Sequence, residues 1–176
     1  LQATRALPGH HLLMGHMGRH LIASGRRAEA EQWLTAAIRM DGDSPQAYFD
    51  LSFLFAENKD LARAEDALRK AVALRPLFPD YHYHLGTLLL DGNRFEEAIE
   101  ELKKVLLVQP GYCDTSIHLA SAYLEKDASD EAIAVLASSP CAGWPETLVL
   151  LAKAHAKCGR RLEARSLLEK SLAADP

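Results

Sequence analysis

From Phe95 to Leu106 the apolar residues are Phe95, Ala98, Ile99, Leu102, Val105 and Leu106, and Glu96, Glu97, Glu100, Glu101, Lys103 and Lys104 fill the places between them. Apolar side chains that return every three or four residues share one face of a helix, so this segment predicts an amphipathic α-helix and not a strand. Glu100 and Glu101 precede Lys103 and Lys104 by three or four residues, which adds weak helical support. The same pattern then recurs. Leu51-Ser52, Leu85-Gly86 and Leu119-Ala120 follow one another at intervals of 34, Met17-Gly18 stands 34 before the first, and Leu151-Ala152 stands 32 after the last. Ala30, Ala64, Ala98, Ala132 and Ala164 form a second ladder, and Leu34, Leu68, Leu102, Leu136 and Leu168 a third. Three ladders in phase describe one helix-turn-helix unit copied about five times. A unit so small cannot bury its apolar face alone, so neighbours must stack. No alternating strand pattern and no low-complexity linker interrupts the series.

Helix breakers sit where this period demands them. Pro76 and Pro110 end second helices, and Pro8 stands 68 residues before Pro76, twice the period. Gly25, Gly92 and Gly159 fall at or next to the turn inside a unit, where a left-handed backbone is wanted. The units read 11–44, 45–78, 79–112, 113–144 and 145–176, one continuous array, with 1–10 as the tail of an earlier second helix. The chain thus begins inside a unit and stops where another first helix is expected, with no polar-faced cap at either end, so it reads as a piece of a longer protein. The fourth unit is irregular. Its second helix starts around Asp130, runs into Ser138, Ser139, Pro140, Cys141, Ala142, Gly143, Trp144 and Pro145, and the next ladder slips by two. A short helix is expected there, with Trp144 plugging the gap it leaves.

Composition narrows the picture. A formal net charge of -4, from 20 basic and 24 acidic side chains, lacks the basic footprint of non-specific nucleic-acid binding. Residues 79–144 hold eleven acids against four bases, and 145–176 hold six bases against four acids, a modest polarity along the array. No apolar run approaches the ~18 residues that span a bilayer. Cys113, Cys141 and Cys158 form no CxxC pair and are odd in number, which reads as reduced thiols and favours the cytoplasm without establishing it.

With these ladders on the page, the chain resembles the tetratricopeptide repeats. That family has a 34-residue unit with a Leu-Gly or Leu-Ala pair and an aromatic in the first helix, Ala residues and a Leu or aromatic in the second, and a closing Pro. His82, Leu85-Gly86, Leu89, Phe95, Ala98, Leu102, Val105 and Pro110 fill one copy. Tyr48, Leu51-Ser52, Phe55, Leu61, Ala64, Leu68, Ala71 and Pro76 fill another, Tyr123 and Ala132 carry the fourth unit, and Ala37 completes the first. The resemblance covers essentially the whole chain. Small residues at Gly18, Ser52, Gly86, Ala120 and Ala152 suit close contact between the two helices of a repeat.

What the resemblance implies is an all-α, right-handed superhelix of about five helix pairs, with first helices lining a concave groove that takes a peptide or partner helix. The groove residues it implies form three stripes: Gly15, Phe49, Tyr83, Ile117 and Val149; His16, Asp50, His84, His118 and Leu150; Arg19, Phe53, Thr87, Ser121 and Lys153. Of these, Arg19, Phe49, Asp50, Phe53, Tyr83, His84, Thr87, Ile117, His118 and Ser121 are the expected partner contacts. Phe49, Phe53 and Tyr83 suit an apolar anchor from an extended peptide or an amphipathic helix, or else Phe49 and Phe53 pack neighbouring first helices. Family members that grip a C-terminal carboxylate use Lys and Asn where this chain has Phe49 and Phe53, or Tyr83 and Thr87, so that function is not indicated. The Asn ladder of arrays attached to glycosyltransferases is absent as well.

Chemistry elsewhere is sparse. His16 and His20 are four apart on one helix, but no third ligand stands within it, so no metal site is expected. His84 and His118, one repeat apart at roughly a helix spacing of ~10 Å, are too distant to share an ion, although imidazoles could make a groove pH-sensitive. Glu96, Glu97, Glu100 and Glu101 read as a solvated outer face, and Arg26, Arg27, Arg160 and Arg161 as exposed turn charges. There is no Gly-rich phosphate loop, HExxH or GxSxG, and no cofactor is expected. The expected function is a non-enzymatic adaptor that binds a peptide or amphipathic helix of another protein. The competing readings are a substrate-recruiting region of a larger transferase, and a self-assembling scaffold, for instance in a secretion or cell-envelope complex.

Overall fold

The computed structural model describes residues 10–40 and 42–174. The expected tail of an earlier helix over residues 1–9, and the last two residues of the final repeat, lie outside the described part. Among the described residues ten helices follow one another: α1 His10–Ala23, α2 Arg27–Met40, α3 Pro45–Glu57, α4 Leu61–Leu74, α5 Pro79–Asp91, α6 Phe95–Val108, α7 Cys113–Glu125, α8 Ser129–Ser138, α9 Pro145–Lys157 and α10 Arg161–Ala174. None is long and apolar enough to cross a membrane.

The turn inside each pair is the same device five times. Gly25, Lys59, Asn93, Asp127 and Gly159 all adopt a positive φ, between 57° and 75°. In each turn the next residue's N–H reaches back to the preceding helix: Arg26 to the Leu21 carbonyl, Asp60 to Phe55, Arg94 to Leu89, Ala128 to Tyr123 and Arg160 to His155, all at 2.8–2.9 Å. This closes the last turn of the first helix and satisfies carbonyls that would otherwise be orphaned. In the third pair the left-handed residue is Asn93, with Gly92 next to it, because Asn tolerates that conformation and the register, not the nearest Gly, fixes the position.

Contacts sort the chain into two units, Leu1–Tyr81 and His82–Pro176. In the first unit α1 packs on α2, α2 on α3 and α3 on α4. Its core is built from Ala30, Leu34, Ala37, Leu51, Leu54, Phe55, Ala64, Leu68 and Ala71. Gly18 is required by contact: a Cβ there would sit 2.5 Å from Leu34 Cγ. In the second unit α6 packs on α7, and each helix from α7 to α10 packs on its neighbour. Ile99, Leu102, Leu119 and Ala122 form one cluster, and Ala120, Leu124, Ala132, Leu136, Leu151 and Ala154 the next. A Cβ on Gly86 would meet Leu102 Cγ and Cδ2 at 2.8 Å.

Ion pairs join successive helix pairs on the surface of each unit. Arg27 meets Glu57 and Arg63 meets Glu31, each at 2.6 Å, in the first. In the second, Lys157 meets Asp127 at 2.6 Å, Arg160 meets Asp130 at 2.9 Å, and Lys126 meets Glu96.

The fourth repeat departs from the rest. α8 has 10 residues where α2, α4, α6 and α10 have 14. Ser139 leaves the helix with extended backbone, ψ 141°. Trp144 does not plug a gap: it is 51% exposed, and the inward residues are Ser139 and Cys141. The early end of α8 turns the chain back across its own repeat. That return brings Cys141 to Cys113 at the first residue of α7, Cα–Cα 5.8 Å, and the two are disulfide-bonded. The expectation of three reduced thiols is therefore corrected for this pair, whose spacing lies in the ordinary range for a disulfide. Cys158 is free.

Candidate functional site

In the first unit, the turn-by-turn spacing of α1 and α3 brings Arg19, Asp50 and their neighbours to one place. The Asp50 carboxylate is buried. Its Oδ1 accepts from Gln46 Nε2 at 2.9 Å, and its Oδ2 from Arg19 Nη1 at 3.4 Å. Arg19 Nη2 also lies 2.9 Å from His16 Nδ1. Burial pushes the Asp50 carboxyl above its ordinary value, and the opposing pull of Gln46, Arg19 and His16 does not cancel it. Beside this polar set lies a chain of rings. Phe49 meets Phe53 edge-on at 4.8 Å and Tyr81 at 4.9 Å, and Tyr81 meets Phe78 at 4.5 Å. Tyr81 is buried and Phe49 half-buried against it, whereas Phe53 is 39% exposed.

In the second unit Tyr83 is the centre of a cluster. His84 lies 5.2 Å from it, Tyr112 5.4 Å and His118 5.6 Å, all edge-on. His118 donates from Nδ1 to the Asp114 carbonyl at 2.7 Å, which orients the imidazole toward Tyr83. Burial pushes the Tyr83 phenol up, with Asp114 and Tyr112 adding to the shift. Thr87 and Ser121 stand on the same helices, but their hydroxyls bond back to His84 O and Ile117 O at 3.0 and 2.9 Å. Such hydroxyls already have an acceptor within their own helix. Ile117 is half-buried.

Thus Tyr83, His84 and His118 come together, Arg19 joins Asp50, and Phe49 joins Phe53. Tyr112 belongs to the second cluster and was missed by sequence reasoning. A signal existed: Phe78, Tyr112 and Trp144 stand 34 and 32 apart, an aromatic ladder at the entry to first helices. Glu101 was also misread as solvated. It is largely buried, and its Oε2 lies 2.6 Å from His82 Nδ1 while Lys104 donates to Oε1 at 2.8 Å. Burial raises the Glu101 carboxyl, but the bonds and charges of His82 and Lys104 outweigh it and leave the group below its ordinary value. Among the described residues no three His, Cys, Asp or Glu side chains converge as metal ligands.

Comparison with known proteins follows this geometry. Two family models, each described as tetratricopeptide repeat, match the sequence, one over residues 17–79 and 54–112 and the other over residues 89–140. Among solved structures, a MamA protein superposes with a TM-score of 0.87 at 18% identity, covering 95% of this chain and 92% of that one. MamA from residue 41 to its end, from Desulfovibrio magneticus RS-1, gives 0.84 at 18% identity, with 96% of each chain covered. YrrB, described as a TPR protein with an unusual peptide-binding site, gives 0.84 at 18% identity over 93% of this chain and 85% of its own. At these identities the likeness speaks for the fold. No curated protein matches the sequence.

Proposed function

Given that the chain belongs to the tetratricopeptide repeat family, we propose that it is a non-enzymatic interaction scaffold whose first-helix faces bind a peptide or helix of another protein. The observation that carries this reading is the Tyr83–His84–Tyr112–His118 cluster. Aromatic rings clustered beside polar groups are the composition that anchors partner side chains. These rings are half-buried, so each offers an edge or face at little further desolvation cost. The printed description of YrrB as peptide-binding supports the same reading for a fold of this kind. Phe53 offers a second, smaller apolar contact in the first unit, whereas Phe49 serves mainly to pack Tyr81. Asp50 acts there through Arg19, whose side chain is 38% exposed and positioned to meet a partner carboxylate.

The test is selection of a displayed random-peptide library on the native chain and on a Tyr83→Ala, His118→Ala double variant of matched helicity and thermal midpoint. Peptides enriched on the native chain are expected to lose at least about tenfold in affinity for the variant, a loss of ~1.4 kcal/mol. Equal enrichment on both would remove the cluster from the site. A second reading, association between copies, is favoured by the apolar residues exposed on α1 (Leu12, Leu13, Met17) and on α10 (Leu162, Leu168, Leu172). Sedimentation equilibrium of the native chain against Leu13→Lys and Leu172→Lys distinguishes it, since a self-associating chain is driven toward monomer by either substitution.

A further inference from the structure

We propose that the Cys113–Cys141 disulfide is a reversible redox-modification site, opened by a dithiol reductant, that controls the order of the Tyr83 cluster. Its effect on partner binding rests on the function proposed above; its effect on structure does not.

The argument starts from register. The positions that match Cys141 in the three preceding repeats are Leu107, Ala73 and Arg39, all on helices and all exposed. In the fourth repeat the helix stops at Ser138, and residue 141 instead turns inward to 2% exposure. Hydrogen bonds also hold this return: Ala142 N–H to Ser139 O at 3.1 Å, Trp144 N–H to Cys141 O at 2.9 Å, and Cys141 N–H to Ser139 Oγ at 3.3 Å. Where the other repeats continue in helix, the disulfide ties the end of the fourth repeat to the start of α7, across a separation of 28 residues. Its other end is Cys113, the first residue of α7. Tyr112 precedes it and touches Tyr83; Asp114 follows it and holds His118. The first turn of α7 therefore carries much of the candidate site, and the disulfide pins that turn.

The two sulfurs differ in access, with Cys113 half-exposed and Cys141 buried. A thiolate of the dithiol attacks Cys113 Sγ, the Cys113–Cys141 bond breaks, and Cys141 leaves as a thiolate that takes a proton from solvent. The second thiol of the reductant, as thiolate, attacks its own sulfur in the mixed disulfide. Cys113 is released and protonated, and the reductant departs as a cyclic disulfide. Two electrons pass to the protein, and an oxidised dithiol reverses the sequence. Gly111 O lies 3.7 Å from Cys113 Sγ; it accepts nothing from a disulfide sulfur, but is placed to accept the S–H of the reduced thiol. Cys158 stands apart, its Sγ 3.8 Å from Asp130 Oδ1.

The experiment compares air-oxidised protein with and without dithiothreitol. In alkylation mapping, Cys158 is expected to label in both samples, and Cys113 and Cys141 only after reduction. Hydrogen exchange is then followed in both forms. Reduction is expected to speed exchange on the order of tenfold at amides 111–118 and 139–148 while α6 is unchanged, and to lower the unfolding midpoint by roughly 5–10 °C. Cys141→Ser and, as a smaller replacement, Cys141→Ala should match the reduced form and ignore dithiothreitol. Labelling of Cys113 and Cys141 without reductant, or equal exchange at 111–118 in both forms, overturns the proposal. Exchange that differs while neither form binds selected peptides supports this inference and counts against the binding function alone.

Discussion

Lys59 shows how a single residue can carry strain for the sake of a register. It takes the left-handed conformation that Gly takes at positions 25 and 159. That conformation costs an ordinary L-residue about 1–2 kcal/mol, and Gly gives back roughly 0.4–1 kcal/mol through its freer unfolded chain. Lys59→Gly should therefore stabilise the protein by roughly 0.5–1 kcal/mol, read as a higher urea midpoint at constant slope. Two buried carboxylates make a second residue-scale prediction with opposite signs. Asp50 has a folded-state pKa above its unfolded value, so its ionisation works against folding as pH rises from about 4 through the raised value. Asp50→Asn should lose that decline and equal or exceed the native chain in stability at pH 7. Glu101 has a folded-state pKa below its unfolded value, so its contribution is present above about pH 4.3 and disappears as pH falls through the lowered value. Glu101→Gln should be less stable by roughly 1–2 kcal/mol at pH 7, with the deficit closing in acid. Denaturation curves from pH 3 to 7 for the three proteins check both signs.

At the scale of elements, the period of the sequence made the helices, their pairing and the Leu ladder legible, because amphipathic spacing and turn geometry are local properties. Leu34, Leu68, Leu102 and Leu136 are buried as their register predicts, whereas Leu168, the last of the ladder, is 44% exposed. The contact between Gly86 and Leu102 turns this into a measurable coupling. Leu102→Ala should cost about 2–5 kcal/mol as a core cavity, and Gly86→Ala should gain little or lose stability because its Cβ collides with the Leu102 side chain. The double variant should be more stable than the sum of the two changes by roughly 0.5–3 kcal/mol, since each relieves the other. Additivity in that cycle would mean the two helices separate without cost. The shortened α8 was equally legible, but the direction of the chain beyond it was not. Trp144 looked like a filler by its bulk, yet the backbone turned Cys141 inward instead.

Across the whole molecule, each unit is built from helices that contact their near neighbours in sequence, so perturbations should stay local. Leu34→Ala is expected to speed hydrogen exchange in α1–α3 by at least about tenfold while amides of α9 and α10 keep their native rates. Uniform acceleration along the chain would show a single cooperative unit. The sequence by itself determined the all-α repeat fold, the family, the buried ladder positions of the inner repeats and the places of the turns, because each of these follows from a period that neighbouring residues express together. Only the tertiary structure decided which side chains meet across that period. It joined Tyr112 to Tyr83, buried Asp50 with Arg19, enclosed Glu101 with His82 and linked Cys113 to Cys141. Those meetings depend on how one helix rolls against the next and on where a short helix releases its chain. Residues nineteen to thirty-one apart touch for that reason alone.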